Sequence, residues 1–123
     1  MGVADEHDSE HELRLEQCQH ILDSRFQDTR LLMSALTHAS GAQHRLSSNE
    51  RLEFLGDAIL GAVVCELLFE QVPDLLEGQL TKIKSVVVSR QTCAKISSEL
   101  GLDAVLIVGK GISSGKPVPS SLL

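Results

Sequence analysis

The sequence has no tryptophan, no tyrosine and only three phenylalanines among its 123 residues. A core built from stacked rings is therefore excluded, and Leu, Ile, Val and Ala must fill it. There is no apolar run long enough to span a membrane. The N-terminus is acidic, unlike a signal peptide, and the expected location is cytoplasmic. The three cysteines, Cys18, Cys65 and Cys93, are scattered and odd in number. They offer neither a disulfide framework nor a zinc site and read as reduced thiols. A basic excess is missing too: Lys and Arg number 11 against 17 Asp and Glu, for a net charge of −6. That balance argues against strong unaided binding to nucleic acid. Part of the negative charge sits in the first residues, at Asp5, Glu6, Asp8, Glu10 and Glu12.

What is present is enough for one domain with a single core. The chain is organised around Asn49–Phe69, NERLEFLGDAILGAVVCELLF. Ser48 and Asn49 are good N-caps, and Glu50 places a favourable charge in the first turn. From Leu52 onward the stretch is apolar on nearly every side of a helix, which belongs inside a core. Yet Glu50, Glu53 and Asp57 interrupt it. At roughly 100° per residue these acids fall within about 60° of one another. Three carboxylates sharing a low-dielectric site require protons, cations or metal ions. Oxygen donors of this kind suit Mg²⁺ or Mn²⁺. On spacing alone a second reading stays open: Glu50 and Glu53 as solvated first-turn acids, with only Asp57 needing a partner.

The remaining segments are read in order. Residues 1–10 are expected to form a disordered acidic leader. His7 and His11, spaced i,i+4, read as part of that solvated tail. A first amphipathic helix carries Leu13, Cys18, Ile21 and Leu22. A second starts at Asp28 or Thr29 and runs through Leu36, closed by Thr37 and His38, which are assigned hydrogen-bonding roles. Gly41–Ser48 is a polar loop, and Val72-Pro73-Asp74 ends the central helix. Glu77-Gly78-Gln79 begins a helix expected to continue to Arg90. Its Lys82, Lys84 and Arg90 are either a solvated face or contacts to phosphate. Gln91–Leu100 is a short helix with Gly101 just past its end. Leu102–Val108 is too short to classify by periodicity, and residues 109–120 read as a Gly/Ser/Pro loop. Strands at Val86–Val88 or Val105–Val108 are a weak alternative because no hairpin partner is visible.

ERLEFLGDA, Glu50–Ala58, resembles the signature of the ribonuclease III catalytic domain. LTHAS at Leu36–Ser40 precedes it at family-like spacing, and Glu77–Gly78 with a lysine-bearing helix follows. The resemblance covers about Leu15–Leu123. It implies an all-α fold of five or six helices around a buried central helix. It also implies a homodimeric, Mg²⁺-dependent endonuclease that cuts double-stranded RNA and leaves 3′ overhangs. Carried over by position, Glu53 and Asp57 are the metal ligands, and Asp57 is also the principal catalytic carboxylate. Glu50 and Glu77 are auxiliary acids of the same valley. Phe54 is either a dimer contact, as its counterpart is in the family, or ordinary core. In the family the chain continues past a segment like Ser121–Leu123 into a helix with an Asp-x-x-Glu pair, and often into a double-stranded-RNA-binding domain. Residues 11–123 thus resemble a catalytic domain without that helix. The expectations are apolar surface left open on the central helix and weak or absent cleavage by these residues alone. The alternative is a non-catalytic module that binds RNA or protein, or that serves only to dimerise.

Overall fold

The computed structural model of the protein describes residues 2–109. Five α-helices follow one another: α1 (Gly2–Ile21), α2 (Thr29–Leu36), α3 (Glu50–Gln71), α4 (Glu77–Val87) and α5 (Arg90–Leu100). Single 3₁₀ turns occur at Ala39–Gly41, Arg45–Ser47 and Leu102–Val105. Among the described residues there is no β-strand, only one parallel bridge between Thr37 and Ile107. The all-α expectation holds. The Gly/Ser/Pro loop expected over 109–120 lies outside the described residues apart from Gly109, as does Ser121–Leu123.

The helix α1 begins at Gly2, so the stretch expected to be a disordered leader is helical. Residues 5–10 pack against nothing and stay exposed, so local forces hold this part. Asp5 complements the positive end of the helix. Glu10 pairs with Arg14 one turn on at 3.3 Å. Arg14 also donates to the Leu106 carbonyl at 2.8 Å, pinning α1 to the far end of the chain. The His7 and His11 rings come within 5.4 Å of each other. Both side chains lie on the same face of α1, His7 exposed and His11 half-buried.

The start of α2 is fixed by Asp28, whose carboxylate accepts the Arg30 backbone N–H at 3.0 Å. That hydrogen bond holds the Asp28 carboxyl below its usual range. The core lies between α1, α2 and the last 3₁₀ turn. Cys18, Leu32, Leu36 and Val105 are enclosed there, with Leu15, Ile21, Leu102 and Leu106 packed around them. Burial pushes the Cys18 thiol up. Val105 belongs to the run that periodicity left unclassified, and it is the most enclosed side chain of the cluster.

The central helix departs from expectation. Within α3 only Gly61 and Val64 are buried. Leu55, Ile59, Leu60, Val63, Leu67 and Phe69 are exposed. The all-round apolar character of α3 marks a helix with more apolar surface than α2 and α4 can cover, not one enclosed by them. The open apolar surface anticipated on this helix is therefore present.

The boundary between two expected helices, placed between Arg90 and Gln91, lies earlier in the structure. The helix α4 stops at Val87, and Ser89 caps a new helix by accepting the Thr92 N–H at 3.2 Å. The Val86-Val87-Val88 run, β-branched throughout, is a weak place for a helix, and the Ser89 cap resolves it as a boundary. The helix α5 ends at Gly101, whose φ of +85° is the left-handed conformation that glycine adopts without strain.

A backbone clasp joins the segment after α2 to the segment after the last 3₁₀ turn. Ile107 donates to the Leu36 carbonyl at 2.9 Å, and His38 donates back to the Ile107 carbonyl at 2.9 Å. Gly109 donates to the Ser40 hydroxyl at 2.9 Å. A Cβ on Gly109 would collide with the Ser40 carbonyl oxygen, so the close approach requires glycine here. Asn49 donates to the Thr37 carbonyl at 2.8 Å, and this bond sets where α3 begins.

Candidate metal and nucleic-acid site

The start of α3 is fixed by the backbone. Neither Ser48 nor Asn49 caps it with a side chain, contrary to the cap signal in the sequence. Asn49 is itself helical, and its side chain makes no cap bond. Ser48 is buried and donates from Oγ to the Arg45 carbonyl at 2.6 Å. Thr37 and His38 have the hydrogen-bonding roles expected of them. Thr37 Oγ1 donates to the Met33 carbonyl at 2.6 Å, and His38 Nδ1 lies 2.7 Å from Ser40 Oγ.

This frame presents Glu50, Glu53 and Asp57 on one side of the first two turns of α3, all exposed. They do not converge. Among the described residues no three His, Cys, Asp or Glu side chains form a group able to hold a metal ion. Glu50 is engaged elsewhere: Arg45 Nε donates to Glu50 Oε2 at 2.8 Å and Arg45 Nη2 to Oε1 at 3.0 Å. The forked hydrogen bond from Arg45 holds the Glu50 carboxyl below its usual range, with smaller help from the charges of Arg45 and His38. Glu53 and Asp57 enter no ion pair among the described residues. They stand one helical turn apart on the same face.

Glu77 lies elsewhere. It accepts from Thr81 Oγ1 at 2.7 Å. It borders a small apolar cavity of about 290 Å³ with Cys65, Leu68, Phe69, Leu80 and Lys84. Cys65 lies roughly 12 Å along the helix axis from Asp57, at 1.5 Å per residue. The auxiliary acids Glu50 and Glu77 are therefore not gathered with Glu53 and Asp57 in this conformation.

The basic residues also separate. Lys82 is exposed on α4, whereas Arg90 has moved to the first position of α5. Lys84 is half-buried, and its side chain crosses the notch left by Gly61 on α3. A Cβ at Gly61 would meet Lys84 Cε at 3.5 Å, an ordinary contact. Gly61→Ala should therefore raise stability by about 0.5–1 kcal/mol through helix propensity. A higher melting temperature checks this; a fall would show that the notch has no room.

Phe54 is 83% exposed, which excludes ordinary core for the isolated chain. With Leu31, Leu46, Leu52, Leu55 and the Glu50 side chain it lines an open groove of about 730 Å³. The Arg45–Glu50 fork on the edge of this groove was not legible in the sequence. The two residues stand five apart across a turn, a spacing with no helical or strand meaning; only an arginine just ahead of the acids hinted at it.

A family model described as Ribonuclease-III-like matches residues 28–118. The chain is 59% identical over 110 residues to a protein named Ribonuclease 3 from Rhodopirellula baltica, covering 89% of this chain and 41% of that protein. It is 46% identical over 112 residues to the Ribonuclease 3 of Oleidesulfovibrio alaskensis, covering 88% and 49%. The chain thus spans between two-fifths and one-half of these two relatives. Among solved structures, the nuclease domain of ribonuclease III from Campylobacter jejuni matches with a TM-score of 0.74 at 38% identity, covering 79% of this chain and 66% of that one. That structure is described as flexible in a region involved in dimer formation. On the extent of the family match and the identity to these relatives, the chain belongs to the ribonuclease III-like family.

Proposed function

We propose that the chain is the catalytic module of an endoribonuclease that hydrolyses phosphodiester bonds in double-stranded RNA as a homodimer, leaving 3′ overhangs. The observation that carries this reading is the presentation of Glu53 and Asp57. Both belong to the ERLEFLGDA signature, both face solvent one turn apart, and neither is neutralised by an ion pair among the described residues. The donor set fits Mg²⁺, which is commonly bound through one or two carboxylates while keeping several waters; Mn²⁺ would fit the same oxygens. Glu53 and Asp57 would hold the ion, and Glu50 and Glu77 are auxiliary acids outside that pair. Bound there, the metal activates water and stabilises charge on the scissile phosphate and leaving oxygen.

The chain's own contribution is position. The backbone clasp at Thr37 and Asn49 aims the first turn of α3, so the two carboxylates stay on one face. Lys82 and Arg90 are exposed and free to meet phosphates, and Lys84 supports the α3–α4 contact from its notch. With a net charge of −6, recognition relies on A-form shape, phosphates and 2′-hydroxyls once metal has neutralised the acids.

The homodimer is supported by the exposed apolar face around Phe54 and by the reported dimer-forming region of the Campylobacter nuclease domain. Large exposed apolar patches mark interaction surfaces. Phe54→Ala is expected to shift the protein from dimer to monomer in sedimentation while its helical signal is retained. An unchanged dimer would move the interface elsewhere.

A second reading has its own observation. The absence of a three-acid group among the described residues favours a module that binds RNA without cutting it. Labelled RNA duplex and a DNA duplex of the same sequence, each incubated with the protein and Mg²⁺, separate the two readings. Weak, metal-dependent cutting of the RNA alone is expected, because Glu53 and Asp57 are the free acids of the signature among the described residues. Retention of RNA without cutting supports the binding module. Indifference to both duplexes overturns both readings.

A further inference from the structure

Arg45 has no role in the reading above, yet among the described residues it is the one cation that grips a signature acid. Its backbone is tied down locally. The Arg45–Ser47 turn is held by Ser48 Oγ on the Arg45 carbonyl at 2.6 Å and by Ser47 Oγ on the His44 carbonyl at 2.7 Å. From that fixed backbone the guanidinium meets both oxygens of Glu50, a planar fork that a lysine ammonium does not reproduce. Glu50 sits at the first helical position, within about 60° of Glu53 and Asp57 around the axis. Left free, it would be a third oxygen donor on the same side of the helix as those two acids.

We infer that Arg45 is a positioning residue that withholds Glu50 from the metal site. The fork leaves Glu53 and Asp57 as the free carboxylates of the signature among the described residues, so that Glu50 does not take a position on the ion that water or a substrate phosphate oxygen could fill. This rests on the proposed metal role of Glu53 and Asp57, and it adds the residue that sets how many acids the ion meets. The fork is solvent-exposed, with Arg45 at 80% and Glu50 at 43% side-chain exposure. Exposed pairs are weak, so the latch is one that a bound ion competes with. The expected effect of opening it is correspondingly modest.

The test is a titration of the purified protein with Mn²⁺, reading free ion by electron paramagnetic resonance in the absence of RNA. Arg45→Ala is expected to tighten Mn²⁺ binding about threefold. Arg51→Ala removes the same charge from a neighbouring side chain that enters no ion pair among the described residues. It supplies the size of the bare charge effect and should give less. The gain from Arg45→Ala should vanish when Glu50 is also Gln, because the freed carboxylate is then absent. A gain no larger than that of Arg51→Ala overturns the inference. So does a gain that persists in the Arg45→Ala, Glu50→Gln double variant. If the unaltered protein binds no Mn²⁺ at all, the metal reading itself fails, and that outcome is distinct from a failure of the latch. Melting temperatures of the variants confirm that each is folded when titrated.

Discussion

Asp57→Asn is expected to weaken Mn²⁺ binding by on the order of 10- to 100-fold. It should also lower Mg²⁺-dependent cleavage of an RNA duplex by on the order of 10²–10³-fold. Asparagine keeps the shape of the side chain and removes its charge. Glu53 would be left as the single free carboxylate on that face, and one carboxylate is a poor anchor for a strongly hydrated ion. Stability should hardly change, because Asp57 is exposed and enters no ion pair among the described residues. The variant therefore separates chemistry from folding. Equal Mn²⁺ affinity in Asp57→Asn and the parent protein would remove Asp57 from the ligand set.

Leu32→Ala should have the largest effect on the fold, a loss of about 2–5 kcal/mol. Leu32 is 4% exposed and packs with Cys18, Leu36 and Val105. Truncating it opens a cavity that the surrounding helices refill only in part. Small domains are typically stable by about 5–15 kcal/mol. The core here is small, so this one change takes a large share. Leu46→Ala is the matched control: Leu46 is 82% exposed, and the change should stay within about 0.5 kcal/mol. Urea denaturation of both variants reads the difference directly. Equal midpoints would mean that the cluster around Val105 is not where the stability lies.

The parts of the fold that were legible from residues are those with strong local signals. Asp28 caps α2, and Pro73 follows the end of α3. Gly101 terminates α5 in the one glycine conformation that its position demands. The signature Glu50–Ala58 placed the candidate acids on the correct helix. Other features depend on distant partners and left little local trace. Val105 lies in a run too short to carry periodicity, yet it is the most enclosed residue of the core. The start of α1 was misplaced because its first turns have no apolar frame; charge pairing and the Arg14–Leu106 contact hold them. The helix α3 was expected to be enclosed because composition reports how apolar a helix is, not how much neighbouring surface exists to cover it. The engagement of Glu50 by Arg45 is set by a 3₁₀ turn whose geometry no residue spacing encodes. Lys82, Lys84 and Arg90 looked like one cluster only as long as one helix carried all three.

The bridge between Thr37 and Ile107 also governs when the site takes shape. Protein chains emerge N-terminus first, so the helix that carries the acids is synthesised well before the segment that anchors its base. Ser40 and Gly109 are 69 positions apart, and closing such a loop must be accomplished before its contacts can reward it. Until residues near 107 are available, the Leu36–His38 segment behind the Asn49–Thr37 hydrogen bond is not clasped. The clasp behind the acidic face is thus expected to close late in folding. Changes that loosen the tie, such as a side chain at Gly109, should delay the appearance of a competent site rather than alter its chemistry once formed.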